Sequence, residues 1–336
     1  MDQTFTSLTS GGADSSPQSP TAADQSGDDL RGGDLDFFGD VPLWTPEVDR
    51  MCQKVANWIR CDLSGGIVHG MQHIGKTWAG AYIEATVPTI LGRNLVVVRW
   101  LTEQNLKKTQ EGCLQTWLRQ SGCRDYNQSK RDQLQSGLCD FLNDMAAARG
   151  ASRILIILDD AHWLNLSFYQ LLMTLYNDLM RLKRRTFVLQ IGQPELRQMK
   201  ATFLGQDALQ LVNRFFAVHY EYRGLGVDDL KDFFDQMEAS RNGGFSAHYL
   251  RHLAARGFAL ADLAKPLEEA LQLIAAAQNI KGELRMPMGR LRSTVCSILY
   301  RLLADTTIGQ VTPQMAFAAL SDCEVPDILR HYVSAA

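Results

Sequence analysis

Short unbroken apolar runs, each closed by polar residues, alternate along the first two thirds of the chain with stretches whose apolar side chains recur every three or four positions. The runs predict strands at 67–69, 94–100, 153–158, 186–191 and 216–222, the central ones buried on both faces. Helical spacing predicts helices at 76–86, with Ala79, Ala81 and Tyr82 inward, and at 101–119 and 130–149. A further helix precedes the first strand. Thr45-Pro46-Glu47 has the form of a cap with Pro at the first helical position, and Val48, Met51, Cys52, Val55, Trp58 and Ile59 form one apolar face running to about Cys61. From Val227 onward the strand pattern stops, and helical spacing alone covers 227–238, 246–256, 260–278, 288–304 and 313–320. Alternating β and α elements followed by helices predict an α/β domain with a C-terminal helical lid.

Composition separates a tail from this body. Residues 1–34 are mainly Ser, Thr, Gly, Asp, Pro and Gln, too poor in large apolar side chains to offset the entropy of ordering, and are expected to be a disordered acidic tail. Either a solvated arm or a dock for a basic partner accounts for it. The organisation expected is therefore a tail at 1–34, an α/β domain with its N-terminal helix at 35–225, and the lid at 226–336. The net charge of −3 conceals eight Asp against one Arg in residues 1–40, which leaves the rest of the chain with a surplus of four positive charges. That surplus is compatible with a nucleic-acid partner without requiring one. The seven cysteines are scattered and never spaced as C-x-x-C, so reduced thiols are expected rather than zinc or disulfides. With no apolar run near the length of a membrane span and no signal-peptide pattern, the expected location is the cytoplasm, with no membrane partner.

The chemistry centres on Gly70-Met71-Gln72-His73-Ile74-Gly75-Lys76-Thr77, which fits G-x-x-x-x-G-K-[ST] and lies between a predicted strand and a predicted helix. In such a loop backbone N–H groups cradle phosphates, the Lys reaches the β- and γ-phosphates, and the Thr hydroxyl meets Mg²⁺. The helix that opens at Lys76, with Trp78 in its first turn, adds the positive end of its dipole. ATP and Mg²⁺ are the expected ligands.

Downstream, the strand 153–158 ends in Asp159-Asp160. A carboxylate at such a strand end can hold Mg²⁺ or its water, and the next can polarise the attacking water. Gln193 follows the next strand at the ligand-binding edge of a doubly wound sheet and is a candidate γ-phosphate sensor, although an ordinary turn marked by Gly192 and Pro194 accounts for it as well.

The order of phosphate loop, acidic strand end, Gly192-Gln193-Pro194-Glu195-Leu196 and helical lid resembles that of the AAA+ ATPases, P-loop NTPases with a central parallel sheet. More narrowly, Leu155 through His162 and Ile191 through Leu196 resemble the TniB/TnsC-type regulators of DNA transposition, which are related to ExeA-like ATPases. The resemblance spans residues 37–320. It implies a protein that assembles with ATP into rings or filaments on double-stranded DNA, without sequence preference. Such an assembly links a target-selection protein to a transposase and is dismantled by hydrolysis. It assigns Lys76 and Thr77 to phosphate and metal, Asp159 to metal support and Gln193 to γ-phosphate sensing. Arg214 would be the finger reaching a neighbouring subunit's ATP, and Arg290, chosen over Arg292, a second sensor in the lid. Lys107, Lys108, Thr109, Lys130 and Arg131 fall where the family faces DNA, and would track phosphates rather than read bases. One position departs from the family: Asp160 stands where Glu is usual, withdrawing the carboxylate by ~1.5 Å, so slow hydrolysis is expected. The rival readings are a DNA-independent switch of the ExeA-like kind and a nucleotide-binding scaffold without useful turnover.

Overall fold

The computed structural model of the chain describes residues 37–38, 42–92, 95–102, 109–124, 130–240 and 244–334. It divides into two units, Met1–Gly39 and Asp40–Ala336. The predicted tail at 1–34 lies outside the described residues; the second unit carries all the elements of the fold.

Chain order begins with helix α1 (Pro46–Arg60), β1 (Gly65–His69), α2 (Lys76–Ile90) and β2 (Leu95–Leu101). Helices α3 (Gln110–Gln120) and α4 (Arg131–Ala148) lead to β3 (Arg153–Asp159), α5 (Leu166–Arg181) and β4 (Arg185–Gly192). Two helices, α6 (Glu195–Gly205) and α7 (Leu209–Phe215), precede β5 (Val218–Glu221). The five strands form one parallel sheet in the order β2-β3-β4-β1-β5. Between β3 and β4 the register pairs Ile156 with Val188, and between β4 and β1 it pairs Gly192 with His69, so the strand ends that carry polar residues lie along one edge.

Because side chains alternate across a strand, the unbroken apolar runs feed two cores at once. On β3, Ile154, Ile156 and Leu158 join Val96, Val98, Trp100 and Val188 under α3, α4, α5 and α7. Leu155 and Ile157 join Val68, Leu189 and Ile191 under α1 and α2. The predicted cap on α1 is present: Thr45 Oγ1 accepts from the Val48 amide at 3.1 Å, and Pro46 opens the helix.

The C-terminal region contains β6 (Leu225–Gly226), α8 (Leu230–Ala239), α9 (Phe245–Tyr249), α10 (Arg251–Ala254), α11 (Ala264–Ala277), β7 (Glu283–Met286) and α12 (Met288–Ala304). It closes with α13 (Pro313–Asp322), α14 (Val325–Ile328) and β8 (Val333–Ser334). This region corrects three expectations. Strands do occur after Val227, since β7 pairs antiparallel with both β6 and β8; strands of two to four residues are too short to show a period. The helix expected over 246–256 breaks at Leu250, and that over 260–278 opens as a 3-10 turn, Leu260–Leu263, before α11.

Two elements of the α/β part also end elsewhere than predicted. Leu101 extends β2 instead of opening a helix, and α3 starts at Gln110, where Thr109 Oγ1 accepts from the Gly112 amide. Helix α2 runs through Pro88 to Ile90; in the last turn a missing N–H costs a single bond, so the helix is not stopped there. Among the described residues no helix is long and apolar enough to cross a membrane, and all seven cysteines are free thiols.

Candidate nucleotide site

The loop between β1 and α2 sits at the polar edge of the sheet, where the strand order reverses around β1. His73 at φ 56° and Gly75 at φ 105° place two residues of the loop in the left-handed region, which turns the backbone into α2. At Gly70 a methyl group would lie 2.3 Å from the Tyr222 carbonyl oxygen, so no larger residue fits without moving the chain. The Gly70 amide donates to the Gly192 carbonyl at 3.2 Å, tying the loop to the end of β4.

Lys76 is 8% exposed, and its Nζ donates to the carbonyls of Gly70 at 2.8 Å and Met71 at 2.5 Å. Burial pushes its pKa down to about 8, against the opposing pull of Asp160, Asp159 and Glu195. Asp159, at the end of β3, is 1% exposed. Burial, and then the neighbouring Asp160, push its carboxyl up to about 6 despite Arg99 and Lys76. Its Oδ1 accepts from the Asp160 amide at 3.1 Å, while Oδ2 has no hydrogen-bond partner and lies 3.6 Å from the Arg99 guanidinium.

The cavity over this loop measures about 680 Å³, within the range of small-molecule sites and large enough for a nucleotide. Its floor is Gln72, His73, Gly75, Lys76 and Thr77, with Asp160 and Gln193 at one side. The opposite wall comes from the start of α12, with Met288, Gly289, Arg292 and Ser293. Beside it, Leu43, Val48, Tyr222 and Met288 line a narrow apolar crevice shared with Gly75, Trp78 and Arg292.

Several sequence-predicted residues thus converge: Gln72, His73, Gly75, Lys76, Thr77, Trp78, Asp160 and Gln193 all line this cavity. Gly70 and Met71 enter through their carbonyls, and Ile74 turns its side chain into the core under α1 and α2. Gln193 accepts from Gln72 Nε2 at 2.9 Å and meets His162 Nε2 at 3.1 Å. Arg290 does not line the cavity: its guanidinium faces Glu324 at 3.4 Å, and Arg292, two positions on, is the arginine at the cavity, its guanidinium 5.4 Å from the Trp78 ring centroid. On a helix, residues two apart face different directions, so only the packing of α12 selects between them.

Arg214 lies at the end of α7, away from this cavity, donating to Asn177 Oδ1 at 2.7 Å with its guanidinium 4.5 Å from the Tyr176 ring centroid. Of the residues assigned to DNA, Lys107 and Lys108 lie outside the described residues. Thr109 caps α3, Lys130 is exposed at the start of α4, and Arg131 faces Asp132 at 3.6 Å. Met288, Tyr222 and Leu43 carried no signal of their own in the sequence, since each depends on elements distant in the chain meeting at the loop.

Magnesium fits the donors present. Asp159 offers one unpartnered oxygen and Thr77 faces the cavity, which suits a small hard cation that keeps most of its water and takes further oxygens from phosphates. No group of three or more His, Cys, Asp or Glu side chains able to hold a metal occurs among the described residues, so the site is not a closed protein cage.

A parallel sheet in this strand order, a phosphate loop after β1, an acidic residue ending β3 and a helical C-terminal region define the fold of an AAA+ P-loop NTPase. Residues 64–199 match the AAA domain family. The chain is similar in structure to the ORC2 protein of Aeropyrum pernix in its ADPNP-ADP complexes, at 12% identity and a TM-score of 0.53, over 86% of this chain and 71% of that one. It is also similar to Cdc6p from Pyrobaculum aerophilum, at 12% identity and a TM-score of 0.54, over 85% and 70% of the two chains. No curated protein matches the chain in sequence.

Proposed function

We propose that the protein is a Mg²⁺-dependent ATPase that assembles with ATP on double-stranded DNA and regulates transposition, linking a target-selection protein to a transposase. The observation that carries the ATP reading is the single cavity lined at once by Lys76, Thr77, Asp160, Gln193 and Arg292. The ADPNP-ADP complexes of the similar Aeropyrum pernix ORC2 protein support an adenine nucleotide as the ligand. The transposition reading rests on the resemblance of the two acidic and glutamine-bearing strand ends to the TniB/TnsC type.

In this reading the loop amides and Lys76 bind the phosphates, and Thr77 and Asp159 would hold Mg²⁺, which would supply charge neutralisation at the phosphates. Asp160 takes a proton from the attacking water, and Gln193 positions the γ-phosphate. Residues 226–336 act as a lid, with Arg292 reaching the nucleotide. Arg214, held by Asn177 and Tyr176, is supplied to the site of a neighbouring copy, so that turnover depends on assembly. Lys107, Lys108, Thr109, Lys130 and Arg131 follow the phosphates of the duplex.

Negative-stain imaging with a non-hydrolysable ATP analogue, with and without duplex DNA, tests the reading together with Lys76→Ala. Rings or filaments requiring both nucleotide and DNA, and lost in the variant, are expected. Particles that form without regard to DNA would replace the transposition reading with a DNA-independent switch.

A further inference from the structure

His162 takes no part in holding the phosphates or the metal, yet it stands between Asp160 and Gln193. Its side chain is 5% exposed in the turn after β3, held against the end of β4, where a methyl group on Gly192 would come within 3.1 Å of Nδ1. Nε2 lies 3.1 Å from Gln193 Nε2, and Nδ1 lies 3.8 Å from Asp160 Oδ1 with no other partner. The hydrogen-bond directions follow from the chain of amides. Gln72 donates to Gln193 Oε1, so the Gln193 amino group donates to His162 Nε2, which must then be bare. A neutral ring with a bare Nε2 carries its proton on Nδ1, the nitrogen nearer Asp160, which at 3.8 Å from Oδ1 makes no hydrogen bond to it in this structure and needs only a small approach to do so. Burial favours that neutral ring, pushing its pKa down against the pull of Asp160 and Glu195, with Lys76 acting in the same direction as burial.

Asp160 needs such a partner. Its backbone is left-handed at φ 55° and its side chain is 39% exposed, so an approach by His162 is what can fix where the carboxylate points. A short acid that must reach the attacking water gains most from being aimed, because a misplacement of about 1 Å lowers rates by roughly 100-fold.

We propose that His162 is a positioning residue for hydrolysis, its Nδ1–H aiming the Asp160 carboxylate while its Nε2 accepts from Gln193, so that water activation and γ-phosphate sensing move as one unit. This rests on the ATP-hydrolysis reading. The ring itself exchanges no proton with substrate: it hands orientation from Gln72 in the phosphate loop, through Gln193, to Asp160.

Two measurements on the full chain test it. With ¹⁵N-labelled histidine, the resonance lost in His162→Gln should show the Nδ1–H tautomer in the wild type, and Gln193→Ala should shift it toward Nε2–H. A wild-type Nε2–H tautomer, or one indifferent to Gln193→Ala, would overturn the proposal. In steady-state assays His162→Gln, which keeps an acceptor for Gln193 but no donor at the δ position, should lower kcat by about 10- to 100-fold and leave nucleotide affinity within about threefold. His162→Asn, which can place an N–H near Nδ1, should recover to within about fivefold of wild type. Equal losses in both variants, or a parallel loss of nucleotide binding, would reduce His162 to a packing residue and overturn the proposal as well. If wild-type turnover does not exceed that of Lys76→Ala, the ATPase reading fails, while the tautomer measurement still decides whether His162 couples the two side chains.

Discussion

The parallel sheet and the C-terminal region contribute to the same cavity by different means. From the sheet come mainly backbone features and residues at strand ends: the left-handed turn at His73 and Gly75, and Asp160 and Gln193 following β3 and β4. From the C-terminal region come side chains of the first two turns of α12, Met288, Arg292 and Ser293, while the Tyr332 hydroxyl, outside the cavity lining, donates to the Gln72 carbonyl at 3.0 Å. The first kind of contribution is fixed by hydrogen bonds of the sheet and its loops. The second lasts only as long as one packed region stays against another.

The largest expected effect lies on the sheet side. Asp159→Asn should lower turnover by about 100-fold or more, as expected when a metal-supporting carboxylate is removed, while raising thermal stability in the absence of nucleotide. The sign follows from the shift: the carboxyl titrates near 3.8 when exposed and at about 6 in the fold, so the folded state binds the proton more tightly. The resulting penalty is absent below about 3.8, grows through the interval and is complete above about 6. The stabilisation by Asn should therefore approach about 3 kcal/mol at pH 7.5 and largely vanish near pH 4, as thermal melts across that range would show. A variant destabilised at pH 7.5 would mean that Arg99 compensates the buried charge more fully than the 3.6 Å separation implies.

On the lid side the effects should be smaller and selective. Arg292→Ala should weaken binding of a fluorescent ATP analogue by about 10-fold, and Arg290→Ala by less than about twofold, because an exposed pair such as Arg290–Glu324 contributes about 0–1 kcal/mol. The reverse order would show that the lid rotates on binding and exchanges the two arginines. Smallest of all, Tyr332→Phe removes one partly exposed hydrogen bond to the phosphate loop and should change nucleotide affinity by no more than about threefold. A larger change in the same titration would make the C-terminal segment a working part of the site.

Much of this division was visible in the sequence. The run from Arg153 to Asp159 announces a strand covered on both faces, because five successive apolar residues feed two cores, and the loop from Gly70 to Thr77 announces its own backbone through its glycines and its place between strand and helix. Residues 283–286 gave no such signal, since Glu-Leu-Arg-Met is too short for a period and is held as a strand only by pairing with residues at 225–226 and 333–334. The choice between Arg290 and Arg292 was equally silent: both lie on one helical turn, and the partner that claims Arg290 is Glu324, on a later segment.

The linear order of residues was thus enough for whatever depends on neighbours along the chain: periodicity, caps, the phosphate loop and the acidic end of β3. Packing settled what depends on distant segments meeting, namely the strand order around β1, the wall that α12 adds to the cavity, the reach of Tyr332 to Gln72 and the place of His162 between Asp160 and Gln193. The physical reason is the range of the interactions. Local backbone preferences act over a few residues, whereas packing selects among side chains that local preference leaves equivalent.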